Sequence, residues 1–362
     1  MFERLSNEEI TYALDELIDL LGVKEEMSSY DLLALLEEKG PEGCVQEIAT
    51  QLGLPIRISL SYVPEDYDPD NIERFGSSAL SRTDRTGSGI EGIVAQVSIP
   101  QHLPIFGTSA LNGYPIQIRV SENCHQHPET FATLIAHELS HVLLASLRSP
   151  HKDNELHTDL VPIILGFHDI VHKGRKKIEN FANGKTTTTQ TTTYGYLTDS
   201  QFKLACEHVT RRLYPCLHDK NRLLKMVEKV REKLKTGTKK LEVFRDYLNY
   251  LDRHLPKKMR TEHAQRIVQL HSRDYGREWE NRIAEVRIIT EKTESFARAV
   301  NHYSNSVVEQ LKAHIQELEL ASDQLDQIIE MINKDKKILQ RYVGLFYGSS
   351  GRCRDRLKFP DS

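Results

Sequence analysis

The amino-acid sequence predicts an α+β fold in two parts: a domain over residues 1–200 that mixes a small sheet with helices, and an all-α domain over residues 201–362. Three observations lead there. Short alternating apolar runs lie between positions 54 and 120, and a helix that is apolar nearly all round follows at 128–147. Beyond residue 200 the apolar residues keep a helical spacing, with no proline between Pro256 and Pro360. At about 150 residues per domain, a chain of 362 residues has room for two.

Taken in order, residues 8–50 read as two or three short helices, with a turn at Gly40-Pro41. In Leu54–Tyr62 the period changes to two, placing Ile56, Ile58, Leu60 and Tyr62 on one side of a half-buried strand. The stretch 65–91, rich in Asp, Ser, Gly and Arg, reads as a loop, and Ile93–Ile99 and Ile116–Val120 as two more strands. Pro128 suits the first turn of the next helix, where its missing N–H costs nothing. After the turn 148–154, Asp153 or Asn154 can cap a second helix that buries Leu156, Leu160, Ile163, Ile164 and Phe167. The threonine-rich run 185–193 reads as an exposed loop, with a lid as the alternative. In the C-terminal half, Lys235-Thr-Gly-Thr-Lys239 reads as a polar turn between two amphipathic segments. Over 307–346 a heptad-like seam runs from Val308 through Leu311, Ile315, Leu318, Ser322, Leu325, Ile329, Ile332, Lys336, Leu339 and Val343 to Phe346. Ten of these twelve positions are apolar, which fits either a coiled coil with a partner or packing inside a bundle of the same chain.

Composition narrows the function classes. The formal net charge of −4 gives no basic signature, so nucleic acid is not an expected partner. The basic stretches Arg175–Lys177 and Lys225–Lys240 read as solvated helix faces. No run approaches the about 18 apolar residues of a membrane span, and the acidic, amphipathic N-terminus does not read as a secretory signal. Five scattered cysteines (Cys44, Cys124, Cys206, Cys216, Cys353) suggest reduced thiols, so a cytoplasmic protein is expected.

The chemistry concentrates in Phe131-Ala-Thr-Leu-Ile-Ala-His-Glu-Leu-Ser-His-Val-Leu-Leu144. Residues four apart on a helix stand one turn above each other, so His137 and His141 can reach one metal ion. Glu138 is rotated by about 100° from His137, close enough to meet a water on that metal without ligating it. The apolar residues Phe131, Leu134, Ile135, Leu139, Val142, Leu143 and Leu147 cover most of this helix, so it must be buried. Two histidines and a carboxyl group inside a buried helix require a partner, and zinc supplies one. A third ligand must come from downstream. Glu155 and Asp159 share one stripe of the second helix, so Glu155 can bind zinc while Asp159 accepts from a ligand imidazole. His157 lies about 200° around that helix and remains an alternative ligand, as do His151 and Asp159. Cys124-His-Gln-His127 lacks the spacing of a four-ligand structural site and reads as a loop.

The pair His137-Glu-Leu-Ser-His141 and Asn154-Glu-Leu-His-Thr-Asp159 resembles the gluzincin branch of the zinc peptidases, in which HExxH is followed by a Glu-x-x-x-Asp helix that supplies the third ligand. Together with Leu165-Gly-Phe167 and Gly195-Tyr-Leu197, it is also similar to a group of bacterial HExxH proteins. The resemblance covers roughly residues 90–200, and Thr158 stands where alanine is usual. It implies a zincin-like domain and peptide hydrolysis. In that scheme zinc acidifies its water and polarises the scissile carbonyl, while Glu138 moves the proton. Tyr194 and Tyr196, or His168 and His172, are the candidates to steady the oxyanion, each with ordinary structure as its competing reading. The strand Ile116–Val120 is expected as the edge that pairs with an extended peptide, or else as a core strand.

Two functions from different classes follow. One is a Zn2+-dependent endopeptidase acting on a cytosolic protein or peptide, whose helical half selects the substrate or restrains the enzyme. The other is a non-catalytic, zinc-stabilised interaction protein that acts through the 307–346 helix, by self-association or with a regulatory protein. An intact Glu138 favours the first, because a purely structural site needs no general base between its ligands.

Overall fold

The computed structural model describes residues 6–64, 95–183, 186–254 and 276–347. The expected loop at 65–91, the start of the strand expected from Ile93, and Cys353 lie outside the described residues. Helices dominate, and the sheets are small. The chain forms two compact units, Met1–Cys216 with Asn301–Val307, and Leu217–Val300 with Val308–Ser362.

The first unit opens with α1 (Asn7–Leu21), started by a capping box in which Ser6 and Glu9 satisfy each other's backbone N–H. Strand β1 (Val23–Lys24) and α2 (Ser29–Gln51) follow. At Gly40 the φ is 72°, which breaks α2 into two helical pieces at the expected Gly40-Pro41 turn. Next come β2 (Arg57–Val63), β3 (Ala95–Ser98) and β4 (Pro115–Ser121), which form one three-stranded sheet in the order β2-β4-β3. β4 pairs parallel with β2 and antiparallel with β3. It is therefore the middle strand, with Ile116, Ile118 and Val120 in the core, and the expectation that it offers a free edge to a substrate is wrong. Ile56, just before β2, is buried and Ile58 and Leu60 are half-buried on the same side, but Tyr62 is exposed and donates to Glu42.

Helix α3 (Pro128–Ser146) crosses the middle of the unit, with Pro128 in its first turn. Every residue from Thr130 to Ser146 is buried, as an all-round apolar helix demands. α4 (Glu155–Ile164) begins where Asn154 accepts from the N–H groups of Leu156 and His157, and α5 (His168–Gly174) packs on α3. β5 (Lys176–Asn183) and β6 (Thr186–Thr193) then form an antiparallel hairpin, so the threonine-rich run is a strand and not a loop. Threonine is β-branched and favours strands. The run lacks apolar alternation, which is why a period-based reading passes over it.

The helix α6 (Asp199–His254) starts in this unit, where Asp15 of α1 pairs with His208 and Arg212. It runs unbroken through residues 235–239, so no turn separates two segments there. A Cβ on Gly237 would come within 3.2 Å of Leu325. That glycine serves a close helix approach, not a chain reversal. β7 (His302–Tyr303) returns to pair with β1, and the Tyr303 hydroxyl donates to Glu25.

In the second unit the rest of α6 packs with α7 (Gly276–Ala299) and α8 (Asn305–Tyr347). Trp279 is buried against Phe244, and Arg231 and Arg245 of α6 pair with Glu294 and Glu280 of α7. The seam residues Leu311, Ile315, Leu318, Leu325, Ile332 and Leu339 are all buried within this chain. No described helix is long and apolar enough to cross a membrane.

Candidate metal centre

The α3–α4 connection is short, so α4 returns alongside α3 and sets Glu155 opposite the two histidines. His137 Nε2 lies 3.2 Å and His141 Nε2 3.5 Å from the same atom, Glu155 Oε2. In a tetrahedral site with bonds of about 2.0–2.1 Å, neighbouring ligand atoms stand about 3.3 Å apart. Each imidazole nitrogen thus stands from the carboxylate oxygen at about the length of one edge of such a site, and the three atoms lie within 4.8 Å of one another.

The outer nitrogens fix the tautomers. His137 Nδ1 is 2.8 Å from Asp159 Oδ1, and His141 Nδ1 is 3.0 Å from the carbonyl oxygen of Lys152. A carbonyl only accepts, so His141 carries its proton on Nδ1 and turns the Nε2 lone pair inward. His141 Nε2 and Glu155 Oε2 are buried and have no hydrogen-bond partner. Buried polar atoms without partners are rare, and two aimed at one point are what a cation would satisfy. A metal of the zinc type fits this donor set of two imidazoles and a carboxylate.

The electrostatics agree. Burial pushes the His137 pKa down, but Asp159, Glu155 and the nearby Glu138 outweigh it and hold the group up at about 10. Burial pushes Glu155 up, and the two imidazoles overcome that and bring it to about 2. The cluster favours a positive charge at its centre, whether proton or metal. Among its members Glu155 is the most open, with 29% of its side chain exposed, so the approach from solvent is on that side.

Glu138 is completely buried one residue along α3, and its Oε2 accepts the N–H of Val97 on β3. Asp159 is held in turn. Its Oδ2 accepts the N–H of Tyr196, and a Cβ on Gly195 would come within 3.0 Å of that oxygen. Gly195 also has φ +88°, a conformation side-chain-bearing residues avoid. Tyr194 and Tyr196 line a cavity together with His137, Asp159 and Arg175. By contrast, His168 pairs with Glu26, and His172 stacks on Phe202.

Sequence reasoning misplaced Arg175. Instead of lying on a solvated face it is buried, donates to the carbonyl of Leu197, pairs with Asp199 and stacks over Phe202. Its own carbonyl accepts from Tyr194, so Arg175 fixes the Tyr194–Asp199 segment that holds Asp159. Three consecutive basic residues gave no sign that one of them points inward. His151 and His157, alternatives for the third ligand, lie against Glu16 instead. Comparison with family models, with curated proteins and with solved structures found no match to this chain.

Proposed function

We propose that the chain is a zinc-dependent peptidase of the zincin type, with His137, His141 and Glu155 as ligands and Glu138 as general base. The observation that supports it best is the convergence of two Nε2 atoms on one carboxylate oxygen, at 3.2 and 3.5 Å, with both Nδ1 atoms held from behind. Zinc in that position supplies an acidified water and a polarised carbonyl. Asp159 and the Lys152 carbonyl keep each imidazole in the ligating tautomer and orientation. Glu138 takes a proton on its carboxylate and returns it to the leaving amine, while Val97 N–H keeps one of its oxygens in place. Tyr194 and Tyr196, beside His137, are the proposed donors to the developing oxyanion. The substrate class, a protein or peptide, rests on the motif resemblance alone.

A second reading has one observation in its favour. Because Val97 N–H already uses Glu138, that residue could serve only to join α3 to β3 in a non-catalytic zinc protein. Glu138→Gln separates the two. Under the peptidase reading it keeps the zinc content of the unaltered protein, by elemental analysis, and loses at least about 100-fold in hydrolysis of a denatured protein substrate. Equal cleavage by both proteins would remove Glu138 from the chemistry.

A further inference from the structure

A second group of donors lies in the same unit. Glu16 projects from α1, His151 from the turn after α3, and His157 from α4. One ligand-type atom from each lies within 4.8 Å of the others. His151 Nε2 is 3.2 Å from one Glu16 oxygen, and His157 Nε2 is 3.8 Å from the other. The two imidazoles stack face to face, with centroids 4.1 Å apart and planes within 8°.

His157 is the telling member. Its side chain is only 7% exposed, and both ring nitrogens are buried with no hydrogen-bond partner. A buried imidazole normally satisfies at least one nitrogen with a neighbouring carbonyl or carboxylate, as His137 and His141 do. The stacking also forbids a simple ionic explanation in which both rings are protonated, since two cations would then lie face to face beside one carboxylate. A divalent ion in reach of one nitrogen of each imidazole and of the carboxylate satisfies those three donors, with the rings turning out of their stack to face it.

We propose that Glu16, His151 and His157 form a second divalent-cation site, of the zinc type, that ties α1 to the turn between α3 and α4. Two imidazoles and one carboxylate suit zinc better than magnesium or calcium, which take oxygen donors. Glu16 and His151 are each about one-third exposed, so a fourth position is open to water. The consequence for the first centre is positional. His151 adjoins Lys152, whose carbonyl orients His141, so an ion on His151 steadies the turn that aims a ligand of the other site.

The test uses the full chain, stripped with a chelator, dialysed and titrated with Zn2+ against a chromophoric chelator. The expected result is two equivalents for the unaltered protein, one for Glu16→Gln, one for His151→Gln, and one for His137→Ala. None is expected when Glu16→Gln and His137→Ala are combined. Glu16 sits on the surface of α1, so its substitution leaves folding intact, which circular dichroism checks. A single equivalent that disappears with His137→Ala and ignores Glu16→Gln would overturn the second site and leave the peptidase reading standing. A single equivalent that follows Glu16 and ignores His137 would uphold the second site and overturn the first. No uptake at all would overturn both.

Discussion

In α3 and α4 the ionisable groups lie inside, and in the α6–α8 bundle they lie outside. His137, Glu138 and His141 are each less than a tenth exposed, and each is engaged by a group on another element. In the bundle, Arg222 and Glu319, Arg245 and Glu280, and Lys233 and Asp326 form pairs across helices, with both partners about a third to three-fifths exposed. The bundle's interior is Trp279, Leu318, Leu325 and their apolar neighbours. Exposed pairs contribute at most about 1 kcal/mol each, so that unit is held by apolar packing. Buried charge is costly unless matched, so a fold that keeps it does so for chemistry or for a cation. The contrast separates a unit built around a site from a unit built around a seam.

Five substitutions break or sharpen that contrast. The largest effect is expected from His141→Ala, which removes a ligand and should abolish zinc retention at the first centre through gel filtration, read by elemental analysis. Zinc retained as in the unaltered protein would show that the convergence of the three atoms has no metal to hold. Next is Leu325→Ala, at a fully buried seam position beside Gly237. It should lower the unfolding free energy of the bundle by about 2–5 kcal/mol in a denaturant titration, with zinc content unchanged. Coupled loss of zinc would mean that the two units share one cooperative transition. Asp159→Asn comes third, with zinc affinity falling about 10–100-fold, because a weaker acceptor then faces His137 Nδ1. Gly195→Ala should push in the same direction, by displacing Asp159 from its bond with Tyr196 N–H. The smallest effect belongs to Arg222→Ala, an exposed pair whose loss should change stability by no more than about 1 kcal/mol. A larger loss would mean that the surface charges of the bundle do more than solvate it.

Much of this was legible from local pattern. The 3.6-residue period and the spacing of His137, His141, Glu155 and Asp159 place all four on two successive helices, because helix geometry converts spacing into direction. Pro128 and Asn154 mark where those helices begin, through rules that depend only on the first turn. The α8 seam was equally visible, but a seam states only that something apolar covers it, not which chain supplies the cover.

What the sequence determined by itself, then, is the pair of helices, the set of donors they carry and the burial of α3, since each follows from residues close together in the chain. Tertiary structure decided which atoms meet. The position of β4 between β2 and β3, the use of Glu138 by Val97, the inward turn of Arg175, and the grouping of His151 and His157 with Glu16 all join residues far apart in sequence. Such meetings depend on how whole elements pack, and neither period nor spacing along the chain encodes that directly. Even Gly237 shows the same division. Alone it reads as a turn, and only the approach of Leu325 reveals it as a contact between helices.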